Sequence, residues 1–418
     1  MGVDYSGGWD AVIAANFADV NRLLAYAYAQ HVTPASGSGS FTIPVAGFSI
    51  PVTINATVGA WTITGGTGQN VIIAVPFTGG SATIGANTYA MNSVVLNVTV
   101  LLRFIRSTGT GGANTYQLTL NVTDPNAIVA VSLSHPPPNL TPNDQTALTI
   151  ALRNLLQTRL GGSGVSLATL NISSLAADYP WLVPNRGMQY AAASNPSGAG
   201  QLGLLLASAN PQPGGPPTLV QGLMPAGCDS ALILSNALFS SFLLAPSFAA
   251  SLNVSPSNLT YRGSNPTTIW LNGDASVSGA TITSATAVAD NNQVAISLSG
   301  NKSPMSGVTV NFTINATYAP SVAGTSDRPT LTFNRTSENE SHSTDVAWWV
   351  WLVSGLTGGA LGAMVVAIIQ AVVNNAASSS LGAPTGFNKG INWPYGGSIR
   401  VTQALLPTPL QLGGVLQQ

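Results

Sequence analysis

The run Gly198-Ala199-Gly200-Gln201-Leu202-Gly203 has the glycine spacing that lets a backbone turn tightly against a pyrophosphate at the start of a helix. Its surroundings do not suit that chemistry. Pro211 follows too soon for the helix to form, and Asp229, the next acidic residue, is not at the distance where a ribose would be bound. The glycines are expected instead to join Met188 to Ala193 and Leu202 to Ala207 in a hairpin. His31, His135 and His342 are far apart and have neither an HExxH frame nor cysteine partners, so no metal centre is expected. Cys228 is the one cysteine, which excludes an internal disulfide and reads as a small hydrophobe. No nucleophile elbow and no phosphate-binding loop ending in Gly-Lys-Ser/Thr occurs. The residues therefore predict neither an enzyme nor a cofactor.

Charge is scarce. Of 418 residues, 12 are basic and 13 acidic, a charged fraction of 6% against the usual quarter. Lys302 and Lys389 are the only lysines, and the arginines are scattered, so the basic cluster that nucleic acid requires is missing. With 45% apolar residues the chain has the reverse of a disordered composition and is long enough to bury a large core. The start carries Asp4 and Asp10 where a classical export signal would be apolar. Localisation stays open.

Apolar residues at Ile13, Phe17, Val20, Leu24 and Ala27 have helical spacing and predict an amphipathic helix from Asp10 to Gln30 with Asp10 as its cap. Leu96 to Phe104 and Leu118 to Val122 alternate as half-buried strands, with Thr108 to Asn114 as a turn between them. Thr141-Pro142 with Asp144 opens a second helix whose stripe is Leu148, Leu152, Leu155 and Leu156. Asn210 to Pro217 reads as a long loop or junction, Val308 to Asn315 as a further strand, and Asp327 to Asp345 as a solvated charged loop. Val346 to Val373 has no charge, is long enough to span a bilayer, and carries Trp348, Trp349 and Trp351 at one end. Its central glycines and lack of flanking Lys or Arg favour a helix buried within the fold over a membrane span.

Gly8-Trp9-Asp10-Ala11-Val12 with Asn16 and Asn21, then Pro225-Ala226-Gly227-Cys228-Asp229-Ser230 through Ser235 with Leu238-Phe239 and Pro246, and finally Trp348 to Ile369, stand in a telling order. In that order they resemble the clostridial neurotoxin-cluster OrfX family and its forty-seven-kilodalton relative, in the tubular lipid-binding (TULIP) superfamily. Scarcity of Lys and Glu departs from the clostridial pattern and suggests a different bacterial background, in the cytoplasm or exported by a non-classical route. The resemblance implies an α+β fold of long helices wrapped by strongly curved antiparallel sheets, in two pseudo-repeated halves, 1–220 and 221–418, the second containing 346–373. It also implies non-catalytic carriage of lipid or another apolar ligand, with membrane contact as a further expectation. The helix stripes, Ile13, Phe17, Val20 and Leu24 with Leu148, Leu152 and Leu155, are the candidate groove lining, although an ordinary core stripe has the same period. The alternatives are a structural subunit that assembles with a related chain or toxin, and a membrane-inserting protein that uses 346–373.

Overall fold

Ala11–Asn16, Gly200–Ala207 and Ser230–Leu234 are apolar almost throughout, the pattern of strands covered on both faces. In the computed structural model these three lie side by side at the centre of a 13-stranded sheet. The structure describes residues 4–30, 36–108, 114–120, 124, 126–160, 165–178, 180–195, 199–208, 217–263, 267–277, 279–305, 308–323, 330–343, 390–407 and 409–417.

In chain order, β1 (Ala11–Asn16) leads into α1 (Phe17–Ala29), followed by β2 (Ser36–Val45), β3 (Phe48–Val58), β4 (Thr62–Gly68), β5 (Asn70–Ile84), β6 (Asn87–Ala90) and β7 (Val95–Leu101). Next come β8 (Arg103–Thr108), β9 (Asn114–Leu120), β10 (Ile128–His135), α2 (Pro142–Leu155), β11 (Val165–Asn171), α3 (Ile172–Asp178), β12 (Gly187–Ser194), β13 (Gly200–Ala207) and β14 (Ser230–Leu234). A short kinked helix then combines α4 (Asn236–Phe239), a π turn at Ser240–Leu244 and α5 (Ala245–Ser251). The remaining strands are β15 (Leu259–Arg262), β16 (Thr268–Leu271), β17 (Ala275–Val277), β18 (Ala280–Asp290), β19 (Gln293–Met305), β20 (Val308–Ala323), β21 (Thr330–Ser343), β22 (Ile391–Asn392), β23 (Ser398–Leu405) and β24 (Leu410–Gln417).

The central sheet runs β10-β7-β5-β4-β12-β13-β1-β14-β24-β23, with β2, β3 and β6 joined through the far half of β5. A 4-stranded sheet runs β22-β11-β9-β8, and a 7-stranded sheet runs β15-β16-β18-β19-β20-β21 with β17 paired to β18. The central sheet takes strands from both sides of residue 220. β1 divides its side chains by parity. Ala11, Ile13 and Ala15 enter the main core, while Val12 and Ala14 enter a second core with Trp9, Leu205, Leu223 and Ile233.

This architecture corrects the expected fold class. The described chain is mostly strand with a few short helices, so long helices wrapped by curved sheets are not its plan. The first helix begins at Phe17, not Asp10, because Ala11 to Asn16 pairs with β13 on one side and β14 on the other. A short apolar run fits either state by pattern, and two hydrogen-bonded neighbours decide it. Asp10 is thus at a strand end and Ile13 is a strand residue. The stretch expected as a charged loop, 327–345, contains β21, an edge strand of the 7-stranded sheet. Thr108 stands opposite Asn114 in the β8–β9 pair, whereas β7 belongs to the central sheet.

Other expectations agree with the structure. Thr141 caps α2 by accepting the Asp144 N–H at 3.1 Å, with Pro142 in the first turn. β12 and β13 form an antiparallel hairpin, Ser194 opposite Gly200. The apolar segment 346–373 with Trp348, Trp349 and Trp351, and the 210–216 part of the Pro/Gly stretch, lie outside the described residues. Among the described residues, no helix is long and apolar enough to cross a membrane.

Candidate functional site

Gly8, Trp9 and Asp10 introduce β1. Gly8 has φ +84°, a left-handed conformation that a side chain would strain, and it turns the buried Trp9 beneath the central sheet. Asp10 is buried, and its carboxylate accepts the Ser208 N–H at 2.7 Å just beyond β13. Its carbonyl accepts the Ser235 N–H at 2.8 Å just beyond β14. At the other end of β1, the Asn16 N–H donates to the Asp229 carbonyl at 2.8 Å, and Asp229 Oδ1 accepts the Leu416 N–H at 2.6 Å. Two stretches far apart in sequence, 8–16 and 225–235, are therefore two sides of one brace that holds β1 between its neighbours.

α1 continues from that brace. Asn21 clasps β4 through both atoms of its amide, Nδ2 donating to the Ile63 carbonyl at 2.8 Å and Oδ1 accepting the Ile63 N–H at 2.7 Å. Arg22 donates to the Leu416 carbonyl at 2.7 Å and stands 3.5 Å from Asp19. Burial pushes the Asp19 carboxyl above its ordinary range and the nearby Asp229 charge pushes in the same direction, opposed by Arg22. Burial likewise raises the Cys228 thiol, which contacts Thr402 and Gln403, away from the thiolate a nucleophile requires. Among the described residues, no group of three or more His, Cys, Asp or Glu is placed to hold a metal ion.

The seven candidate lining residues are all buried in one continuous core. They occupy different parts of it. Phe17, Val20 and Leu24 face inward from α1, which packs on β1, β4, β13 and the turn Pro394–Gly396. Leu148, Leu152 and Leu155 face inward from α2, which packs on β2, β3, β5 and β10. Of the seven, Ile13 lines a cleft together with Leu232, Ile391, Ile399 and Val401. That cleft lies where β1 and β14 meet β22 and β23, and the side chains that line it are apolar. About 20 Å³ of it is open to the centre of a water molecule, and one water needs roughly 10–15 Å³ by that measure. Ile391, Ile399 and Val401 escaped the sequence reading. The alternation of Ile399 and Val401 with Arg400 and Thr402 signals a strand, but nothing local places that strand opposite Ile13.

Comparison with known proteins adds a family frame. A family model described as OrfX-like, protein OrfX2/OrfX3/P47, matches residues 6–385. The structure of P47 from Clostridium botulinum A2 superposes with a TM-score of 0.70 at 16% identity, covering 99% of this chain and 98% of that one. P47 of Clostridium botulinum E1 gives a TM-score of 0.70 at 13% identity, covering 99% of this chain and 100% of that one. No curated protein matches.

Proposed function

This chain belongs to the OrfX/P47 family, related to toxin-cluster proteins, and from that premise we propose that it is a non-catalytic binder of lipid or another apolar ligand. The observation that carries this reading is the cleft of Ile13, Leu232, Ile391, Ile399 and Val401, which offers a ligand mainly hydrocarbon side chains. Recognition there is by burial, at about 0.8 kcal/mol per methylene, and needs neither metal nor cofactor. No acid, base or nucleophilic side chain lines the cleft.

The present size of the cleft means that an acyl chain has to part β22 and β23 from β1 and β14 as it enters. The same small volume favours a second reading, in which the apolar interior is only core and the protein is an interaction subunit for a related chain or toxin. Organic extraction of the purified full chain, followed by mass spectrometry, and titration with a fluorescent fatty acid separate the two. Carriage predicts co-purifying lipid and saturable uptake. It further predicts that Val401→Trp, whose bulk fills the cleft, abolishes uptake while the variant stays folded, with a melting temperature lowered by an overpacking cost of about 1–3 kcal/mol. A folded Val401→Trp variant with undiminished uptake would reject this site. No extracted lipid and no uptake, with a stable complex formed on co-expression with a related family chain, would establish the subunit reading. Broad hydrolase and transferase screens are expected to stay at background.

A further inference from the structure

From Leu23 to Leu102 the sequence has no Asp, Glu, Lys or Arg. Within that stretch β2 and β3 form a long hairpin, paired from Ser36 opposite Thr57 out to Val45 opposite Phe48. Ala46 and Gly47 close it with φ +49° and +86°, the tight turn whose twist matches that of its strands. The hairpin outreaches its neighbour. β3 pairs with β5 only as far as Val52 opposite Ile84, and the Gly85 N–H donates to the Pro51 carbonyl where β5 turns back. Phe48 therefore stands about 10 Å past the adjoining turn, at roughly 3.3 Å per residue. It is 72% exposed, the most exposed large hydrophobic among the described residues.

We infer that this tip is a contact site for the interfacial region of a lipid bilayer. Four features select that partner. The tip pairs its two strands with each other, with Pro44 opposite Ser49 and Thr42 opposite Pro51, so their inward-facing backbone groups stay satisfied, and the outward-facing ones meet the water and headgroups of the interfacial region, not the hydrocarbon. Its side chains are apolar or hydroxylic, which removes the desolvation cost that charged groups impose at a bilayer. Pro44 on the outer strand β2 lacks a donor and so discourages a second copy from extending the sheet. The phenyl ring at the end of such a projection supplies apolar area for a membrane surface to bury, as Phe does on the apolar face of membrane-surface helices. Ile43 and Val45 are buried on the inner face, so the outer face and Phe48 make the contact while the hairpin keeps its packing. This contact is separate from the apolar cleft and does not depend on ligand carriage.

The test is flotation of the full chain with vesicles of neutral phosphatidylcholine. The wild type is expected to float, and Phe48→Ser to lose about tenfold or more in partitioning, the effect of withdrawing one buried aromatic side chain. Phe48→Trp is expected to bind more tightly. Partitioning should survive about 1 M salt, where the Debye length falls to about 3 Å, and should not increase with anionic lipid. Phe48→Ser should keep the wild-type melting temperature and fatty-acid uptake, which separates this result from the fate of the cleft. Absence of wild-type flotation, equal flotation of Phe48→Ser, or binding that requires anionic lipid and disappears in salt would each overturn the assignment.

Discussion

The brace around β1 and the β2–β3 hairpin are built from the same vocabulary of small apolar and hydroxylic residues, but they treat charge in opposite ways. Asp10, Asp19, Arg22 and Asp229 all gather at the brace. The hairpin and the strands beside it carry none. β1 must be held between β13 and β14, strands whose positions lie some two hundred residues farther along the chain, and backbone groups at the strand ends have no local partners. Carboxylates supply acceptors there, at Ser208 and Leu416. In the hairpin, strands adjacent in sequence satisfy one another through a tight turn. Charge is thus used at the brace, where non-local strands meet, and the locally paired β2–β3 hairpin does without it.

The comparison can be broken most severely at Gly80, where β5 leaves the central sheet and turns along β3. Gly80 has φ +99°, and a Cβ there would run into the Asn55 carbonyl oxygen and the Ala56 Cα. Gly80→Ala is expected to cost about 3 kcal/mol or more, combining backbone strain with a collision that neither strand can yield to cheaply. Urea denaturation should show a lower midpoint. A variant as stable as the wild type would mean that the hairpin is not fixed to the sheet in this way.

At the brace, Asp10→Ala leaves the Ser208 N–H buried without its acceptor and should cost about 1–3 kcal/mol, read as a fall in melting temperature. Because the Asp10 carbonyl bond to Ser235 belongs to the backbone, the loss is expected to weaken β1 without abolishing the fold. An Asp10→Ala protein that melts with the wild type would deny the carboxylate its bracing role.

The smallest effect concerns Asp19, whose carboxyl is shifted upward first by burial and then by Asp229. Its folded pKa exceeds its unfolded one, so its ionised form is the less favoured in the native state. The wild type therefore gains stability from this group as pH falls from above its folded pKa toward the unfolded value near 3.8, and loses that gain on the way back up. Relative to Asp19→Asn, the wild type should become more stable as pH is lowered from about 7 to about 4. Paired denaturation curves across that range provide the check. A difference that stays constant or changes in the opposite sense would show that Arg22 outweighs burial.

Local order was legible wherever short-range chemistry was sufficient. α2 could be read from Thr141, Pro142 and its leucine stripe because a cap and a 3.6-residue period lie within one segment. The β12–β13 hairpin could be read because its turn contains its own glycines. β1 could not be separated from α1, since Ile13 and Phe17 keep helical spacing although a strand ends between them. Charge in β21 suggested solvent and concealed an edge strand.

The sequence by itself determined several alternating strands, a large apolar interior, little charge and a family signature whose two main parts lie far apart. Only the tertiary structure decided that those parts form one brace, that Phe17 begins the first helix, and that Ile13 faces Ile391, Ile399 and Val401 across a cleft. The physical reason is that side-chain periodicity records which face of a segment is buried, whereas the partner covering that face is set by hydrogen-bonded register and packing between residues hundreds of positions apart.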